Sequence, residues 1–415
     1  MTTPIGGAAQ VGRRRLVASI GALAGAAALS GCTRGSGGPD GPGSGPDPTA
    51  DAEGAAAAAE RQGAATRSFH GPRQSGVDDL PQAFLTMVAF DLAAGADTET
   101  VRRLMTVWTD DINRLMSGRG ALTDQEPELA TRPASLTVTV GWGPGAFAAA
   151  GADAPPWLAP LPPFTIDQLE ERWNGGDLVL QVCSDSPVTV AHAVRKLVTG
   201  AEPMATQRWV QRGFREPLMD AGKERMRNLL GQLDGTVNPS SSVAEDEPLI
   251  WDDGSTWRAN ATALVVRRIA MELDRWDRAD RFSREHALGR RLDNGAPLTG
   301  GDEMTPPDLA ATAADGFPVI DTFSHMRRAM PTAPHERFLR RPYNYDDEPA
   351  PGQDSNSGLI FLAYCADPVR QFIPVQERLA EADLLNLYTT PIGSAVFAIL
   401  PGCADGEILG GDLLT

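Results

Sequence analysis

The sequence holds no Cys-x-x-Cys pair, and its five histidines are scattered over 415 residues. A structural zinc site needs several such ligands at close spacing, so that class is set aside. Cysteine is scarce: besides Cys32 there are only Cys183, Cys365 and Cys403. Cys183 and Cys365 lie in apolar, strand-like runs and read as small buried hydrophobes rather than disulfide partners or ligands. Basic charge is also short. Thirty-seven Lys and Arg face 54 Asp and Glu, a formal net charge of −17. That balance argues against nucleic acid or an anionic membrane surface as partner and favours neutral or cationic substrates. A long apolar run is missing too. The uncharged stretch Ala18–Leu29 is too short, and too rich in Gly and Ala, to span a membrane stably.

What precedes the folded part is informative. Arg13-Arg14-Arg15, followed by Leu16-Val17 and that weakly hydrophobic stretch, reads as a twin-arginine export signal over residues 1–32. It ends at Leu29-Ser30-Gly31-Cys32, which resembles the bacterial lipobox, cleaved ahead of a cysteine that then carries lipid; an ordinary cleaved leader with Cys32 incidental is the alternative. The expected location is extracytoplasmic, lipid-anchored through Cys32 at the outer face of the cell membrane. Loss of the leader removes three arginines and no acid, giving −17 − 3 = −20. Residues 33–67 are Gly, Pro, Ser, Asp and Ala with almost no large apolar side chain. They cannot bury enough surface to offset chain entropy, which predicts a flexible tether.

The remaining 350 or so residues suffice for one large or two medium domains. In residues 68–230, Phe84–Asp91 reads as a strand and Thr98–Met116 as a helix by the spacing of Val101, Leu104, Met105, Trp108, Ile112 and Leu115. Strands at Leu136–Trp142 and Leu178–Cys183, a helix at Val188–Val198 and a strand at Gln207–Phe214 complete a β-α-β-β-α-β unit, the ferredoxin-like order. Residues 231–415 repeat the rhythm more loosely. Ala263–Ala270, Gly358–Cys365 and Ser394–Leu400 read as strands, Glu272–Glu285 and Val369–Leu379 as helices. The fold class expected is α+β, two duplicated ferredoxin-like halves with antiparallel sheets and peripheral helices; two unrelated α+β domains are the alternative.

Between the halves lies Gly231-Gln232-Leu233-Asp234-Gly235-Thr236-Val237-Asn238-Pro239, a tight loop around one carboxylate. Alone it could be a surface turn. Further on come Ser324-His325-Met326-Arg327, then Arg341-Pro342-Tyr343-Asn344-Tyr345, Gly358–Tyr364, and Asp383 five residues before Tyr388. In combination these resemble the dye-decolourising peroxidase family, twin-arginine-exported members included, over roughly Gln82 to Gly402. The resemblance implies one haem b per chain, held mostly by the second half. It implies reduction of hydrogen peroxide through a ferryl intermediate, with a bulky organic donor, dye- or phenol-like, oxidised in one-electron steps.

On that resemblance His325 is the iron ligand, and Asp383 accepts the other ring N–H of His325; read alone, Asp383 could equally cap a helical turn. Asp234 and Arg341 are the catalytic pair on the peroxide side, a proton carrier and a fixed cation. The residues do not settle which of Arg340 and Arg341 points inward; alignment on Arg-x-Tyr-x-Tyr favours Arg341. Leu359 and Phe361 alternate on one strand face and form an apolar haem wall, compatible with plain core packing. Gly235, Thr236, Val237 and Arg327 are candidates for haem edge and propionate contacts, Arg328 either for the same task or for a solvated face. Tyr343, Tyr345, Tyr364 and Tyr388 are candidate radical relays, with packing the plainer reading. Two other roles stay open on the same fold: release of iron from haem in iron uptake, as in deferrochelatases, and a non-enzymatic haem carrier of the envelope. Chlorite dismutase relatives share the duplicated plan, and the Asp234 loop counts against them.

Overall fold

The structure, a computed structural model, describes residues 60–216, 225–254 and 256–414. The leader, Cys32 and the tether up to position 59 lie outside the described residues. The folded part reaches further back than position 68. Ala134 and Ser135 donate their backbone N–H groups to the carbonyls of Gly63 and Ala65, at 3.0 and 2.7 Å. The end of the expected tether is therefore bonded to the body.

The first half runs β1 (Phe84–Leu92), α1 (Thr98–Met116), β2 (Thr137–Trp142), α2 (Pro144–Ala150), β3 (Leu178–Ser184), α3 (Pro187–Ala201) and β4 (Ala205–Phe214). Both long helices start on side-chain caps: Asp97 accepts from the Thr100 N–H and Ser186 from the Thr189 N–H. The second half runs β5 (Thr262–Met271), α4 (Leu273–Arg278), α5 (Arg281–Leu288), α6 (His325–Ala329), β6 (Tyr343–Asp346), β7 (Ser357–Cys365), α7 (Pro368–Ala382) and β8 (Thr389–Ile399). The single helix expected over Glu272–Glu285 is two, because Asp280 leaves helical geometry and caps α5 by accepting from the Ser283 N–H at 2.7 Å. Strand β6, inside the Arg-x-Tyr-x-Tyr segment, supplies the element missing from the looser second rhythm.

Strand order is β2-β3-β1-β4 in the first half and β6-β7-β5-β8 in the second, all antiparallel. Both sheets thus place their second, third, first and fourth strands side by side, as a duplication requires. The sheets also join each other. Ala398 and Ile399 of β8 pair with Trp142 and Gly141 of β2, and Phe214 of β4 pairs with Asn344 of β6. Eight strands therefore close into a barrel, which leaves no long open edge. Gly141 sits where β8 meets β2: a Cβ there would lie 2.8 Å from both Ile399 Cδ1 and Val179 Cγ1, so a larger residue would have to displace them.

Alternation sorts the side chains. Met87, Val179, Leu264, Ile360 and Phe397 fill the barrel, while Val88, Leu180, Val265 and Ala398 face outward into a core shared with α1, α2 and α3. The outer face at the other end of β5 and β7, around Ile269 and Leu359, is covered differently. Loops, α6 and α7 arch over it and leave a cavity.

Candidate active site

That cavity lies between the second sheet and α7. Its floor is the outer face of the second sheet. Arg267, Ile269 and Met271 come from β5 and Leu359 and Phe361 from β7, with Arg267 paired to Phe361 and Ile269 to Leu359. The opposite wall is α7, whose Phe372, Val375, Gln376 and Leu379 follow i, i+3, i+4, i+7 spacing along one helical face. Asp234, His325, Arg340 and Asp383 reach in from loops and short elements.

His325 is the first residue of α6, directly after Ser324, and its side chain is one-quarter exposed. Its Nδ1 lies 2.6 Å from Asp383 Oδ2. A carboxylate can only accept, so Nδ1 carries the proton and Nε2 offers its lone pair. Burial opposes charging the ring, but the adjacent Asp383 carboxylate outweighs it, and His325 is easier to protonate than free histidine. Asp383 is itself held: it ends α7, its other oxygen accepts the Leu385 N–H at 2.8 Å, and it is 7 % exposed. One Asp383 side chain thus accepts from both the His325 ring and the Leu385 N–H.

Across the loop region, Asp234 Oδ1 and Arg340 Nη1 are 3.1 Å apart, and both residues line the cavity. Arg341 does not reach it, which corrects the expected register by one residue. Arg340 pairs with Ala363 and Leu339 with Tyr364. Ala363 and Leu359 share the outer face of β7 and Tyr364 the inner, so Arg340 faces the cavity and Arg341 the barrel. There Arg341 is 1 % exposed and donates to the Asp79 carbonyl and to Gln82 Oε1.

A residue with no expected role holds Arg340 in place. Asn238 Oδ1 accepts the Arg340 backbone N–H at 3.2 Å and its Nε–H at 3.1 Å, while Asn238 Nδ2 donates to the Arg340 carbonyl at 2.7 Å. The signal was present as the Asn of Gly-x-x-Asp-Gly-Thr-x-Asn-Pro. Arg267 was missed as well. It is a buried cation in the cavity wall, ion-paired with Asp167. Its trace in the sequence is the Arg267-Arg268 pair interrupting an apolar strand.

The other expected contacts lie elsewhere. Gly235 and Thr236 line an adjoining cavity, the Thr236 hydroxyl donating to Glu303 at 2.8 Å. Val237 is 65 % exposed and lines neither cavity. Arg327 is turned away from the cavity and donates to the carbonyls of Leu309 and Ile320, tying the long insertion to α6. Arg328 donates to the Arg378 carbonyl and pairs with Glu381, tying α6 to α7. Of the four tyrosines, Tyr343, Tyr345 and Tyr364 point into the barrel. Tyr388 packs beside the cavity wall, edge-on to Trp276 at 4.9 Å.

The donor set fits haem: one imidazole with Nε2 available, apolar walls from Leu359, Phe361 and Ile269, and Arg267 as a lining cation for a haem carboxylate. A single histidine backed by a carboxylate, sharing its cavity with a carboxylate–guanidinium pair on a barrel of two ferredoxin-like halves, defines a haem peroxidase. The chain belongs to the Dyp-type peroxidase family. The family model for its N-terminal part matches residues 74–215 and that for its C-terminal part residues 225–404. The chain is 38 % identical to the dye-decolorizing peroxidase of Thermobifida fusca, over 82 % of this chain and 83 % of that protein. It is 31 % identical to the deferrochelatase of Escherichia coli O157:H7, over 97 % of this chain and 96 % of that one. Among solved structures, a DyP-type peroxidase from Cellulomonas bogoriensis superposes with a TM-score of 0.82 at 52 % identity, covering 85 % of this chain and 99 % of that one. Ferric DtpA from Streptomyces lividans gives the same TM-score at 36 % identity, over 86 % and 98 %. The fold, the peroxidase class and the haem cofactor follow from that membership.

Proposed function

We propose that this chain reduces hydrogen peroxide at a haem held by His325 and takes the two electrons, one at a time, from a bulky organic donor of dye or phenol type. The observation that carries the reading is the shared cavity of the His325–Asp383 and Asp234–Arg340 pairs. Bound haem supplies the redox centre at which the O–O bond is opened. Everything else falls to the protein. Asp383 holds the His325 ring in one tautomer and one orientation and makes it a stronger ligand. The Asp234 carboxylate takes a proton from the near peroxide oxygen and returns it to the far one. The Arg340 guanidinium, clamped by Asn238 and paired with Asp234, stabilises the departing hydroxide. Leu359 and Phe361 limit water at the reacting face.

The leader reading adds a place. The mature chain acts outside the cytoplasm, exported by the twin-arginine route and anchored by lipid on Cys32. Among the described residues no helix is long and apolar enough to cross a membrane.

A second reading is favoured by the near full-length match to a deferrochelatase. On it haem is substrate, and the same residues bind it for loss of its iron. Stopped-flow absorbance of the haem-loaded mature protein with one equivalent of peroxide separates the two. The peroxidase reading expects a fast spectral change that a reducing dye reverses. Bleaching with iron released to a chelator supports the second reading and removes the first.

A further inference from the structure

We propose that Glu303, in the long insertion between α5 and α6, is a positioning residue that holds Asp234 in place opposite Arg340. The proposal rests on the peroxidase reading and deepens it. Asp234 can carry a proton between the peroxide oxygens only while its carboxylate stays where Arg340 meets it.

Asp234 sits on a weak element. Leu233 and Asp234 pair with Arg227 and Met226 in a two-residue ladder. The next residue, Gly235, has a φ of 98°, a conformation that a side chain would strain. A ladder that short, ending on a glycine, holds its last carboxylate poorly by itself. The insertion supplies what is missing. At the closed end of the hairpin, Arg227 donates to the carbonyls of Gly231 and Leu292. Leu233 packs on Gly295, where a Cβ would lie 2.9 Å from Leu233 Cδ1 and 3.0 Å from Glu303 Cγ. At the Asp234 end, Glu303 Oε1 accepts from the Thr236 hydroxyl at 2.8 Å and pairs with Arg225 Nε at 2.9 Å. Thr236 follows Gly235 and Arg225 precedes Met226. One carboxylate oxygen therefore ties both strands together just beyond Asp234.

Glu303 is itself held. Its side chain is 15 % exposed, and its carbonyl accepts from Arg290 Nη1 at 2.9 Å. Asp302 Oδ1 accepts the Met304 N–H at 2.9 Å and sets the turn that aims it. Charge gives Glu303 a second task. Arg225 and Arg340 both line the adjoining cavity with Asp234. Glu303 engages Arg225, which leaves Asp234 to Arg340 at 3.1 Å. Asn238 thus fixes Arg340, and Glu303 fixes the end of the hairpin that carries Asp234.

The test uses the haem-loaded chain and hydrogen peroxide. Stopped flow reads the second-order rate of the first spectral change, corrected for bound haem. Glu303→Ala should slow that rate about tenfold, the cost of displacing a reacting group by part of an ångström. Glu303→Gln keeps an oxygen for Thr236 and should recover part of the loss. Thr236→Val, which removes only the hydroxyl, should slow the reaction about threefold and carries the test if Glu303→Ala fails to fold. Backbone amide exchange over residues 231–239 should quicken in Glu303→Ala while the barrel strands stay protected. The decisive variant combines Glu303→Ala, or Thr236→Val, with Asp234→Asn. A residue that acts through Asp234 adds nothing once that carboxylate is gone, so the double variant should react like Asp234→Asn alone. A wild-type rate in Glu303→Ala, or a double variant slowed by the product of the two single effects, overturns the positioning role while the peroxidase reading stands. A wild-type protein that never reacts with peroxide, or an Asp234→Asn protein as fast as the wild type, fails the underlying reading instead and takes the proposal with it.

Discussion

Replacing Asp383 by Asn isolates what the carboxylate does for His325. In the native site its two oxygens serve two donors, His325 Nδ1–H at 2.6 Å and Leu385 N–H at 2.8 Å. Asn has one carbonyl oxygen and an NH2 group in nearly the same volume. If the oxygen stays on Leu385, the NH2 faces Nδ1 and forces the proton to Nε2, the nitrogen proposed to hold the haem. If the amide flips, Leu385 N–H meets a donor and the turn loses its cap. Either way one hydrogen bond to a charged group is lost, ~1.5–3 kcal/mol. At about 1.4 kcal/mol per tenfold, haem affinity should fall about tenfold to a hundredfold. The assay is titration of the haem-free protein with haem by Soret absorbance, alongside thermal unfolding to show that the fold persists. An affinity within twofold of wild type, with the fold intact, would refute the reasoning.

Other perturbations test other links. Asp234→Asn should slow the peroxide reaction by about a hundredfold, since the amide cannot carry a proton; stopped-flow rates check this. Tyr343→Phe and Tyr364→Phe should leave steady-state dye oxidation unchanged. Both phenols are buried, with ionisation pushed up by burial, and donate only to Cys183 Sγ and Gln181 Oε1, neither of which is a base that takes a proton on oxidation. Loss of dye turnover in either variant would restore them as relays. Asp124 lies under α3 with its side chain fully buried. Burial alone would raise its pKa, but hydrogen bonds from Lys196, the Glu126 N–H and His192 lower it to about 2. Its folded pKa is depressed, so the stabilisation is full above the ordinary value of 3.8 and is lost as pH falls toward 2. Asp124→Asn should cost ~1–2 kcal/mol at pH 6 in denaturant unfolding and almost nothing near pH 2.

Much of the fold was legible because local rules and tertiary needs agree. The apolar density of Phe84–Asp91 and Gly358–Cys365 made strands, and the Asp97 and Ser186 caps and 3.6-residue spacing made α1 and α3. Barrel closure was not legible. It rests on a few pairings between residues far apart in the chain, Phe214 with Asn344 and Gly141 with Ile399, which no local pattern announces. The site was half legible. His325, Asp383 and Asp234 are each alone of their type in their motif, so recognising the motif located them. Arg340 and Arg341 are adjacent and identical. Only the register against Ala363 and Tyr364 decides which faces the cavity, and that register is a property of the folded sheet. Arg327 was misplaced for a related reason. A guanidinium beside the proposed iron ligand suits a propionate, but here it satisfies two carbonyls of the insertion.

The central claim is that Asp234 and Arg340, not Arg341, act on peroxide in the cavity of His325. The most direct measurement is the second-order rate of the first spectral change with peroxide in haem-loaded Arg340→Leu and Arg341→Leu, each corrected for bound haem. Arg340→Leu should lose about a hundredfold to a thousandfold, the usual cost of removing a transition-state charge donor. Arg341→Leu should keep the wild-type rate and lose stability instead, because it unpairs the Asp79 carbonyl and Gln82 inside the barrel. The reverse pattern, a slow Arg341→Leu protein beside a fast Arg340→Leu one, would contradict the account.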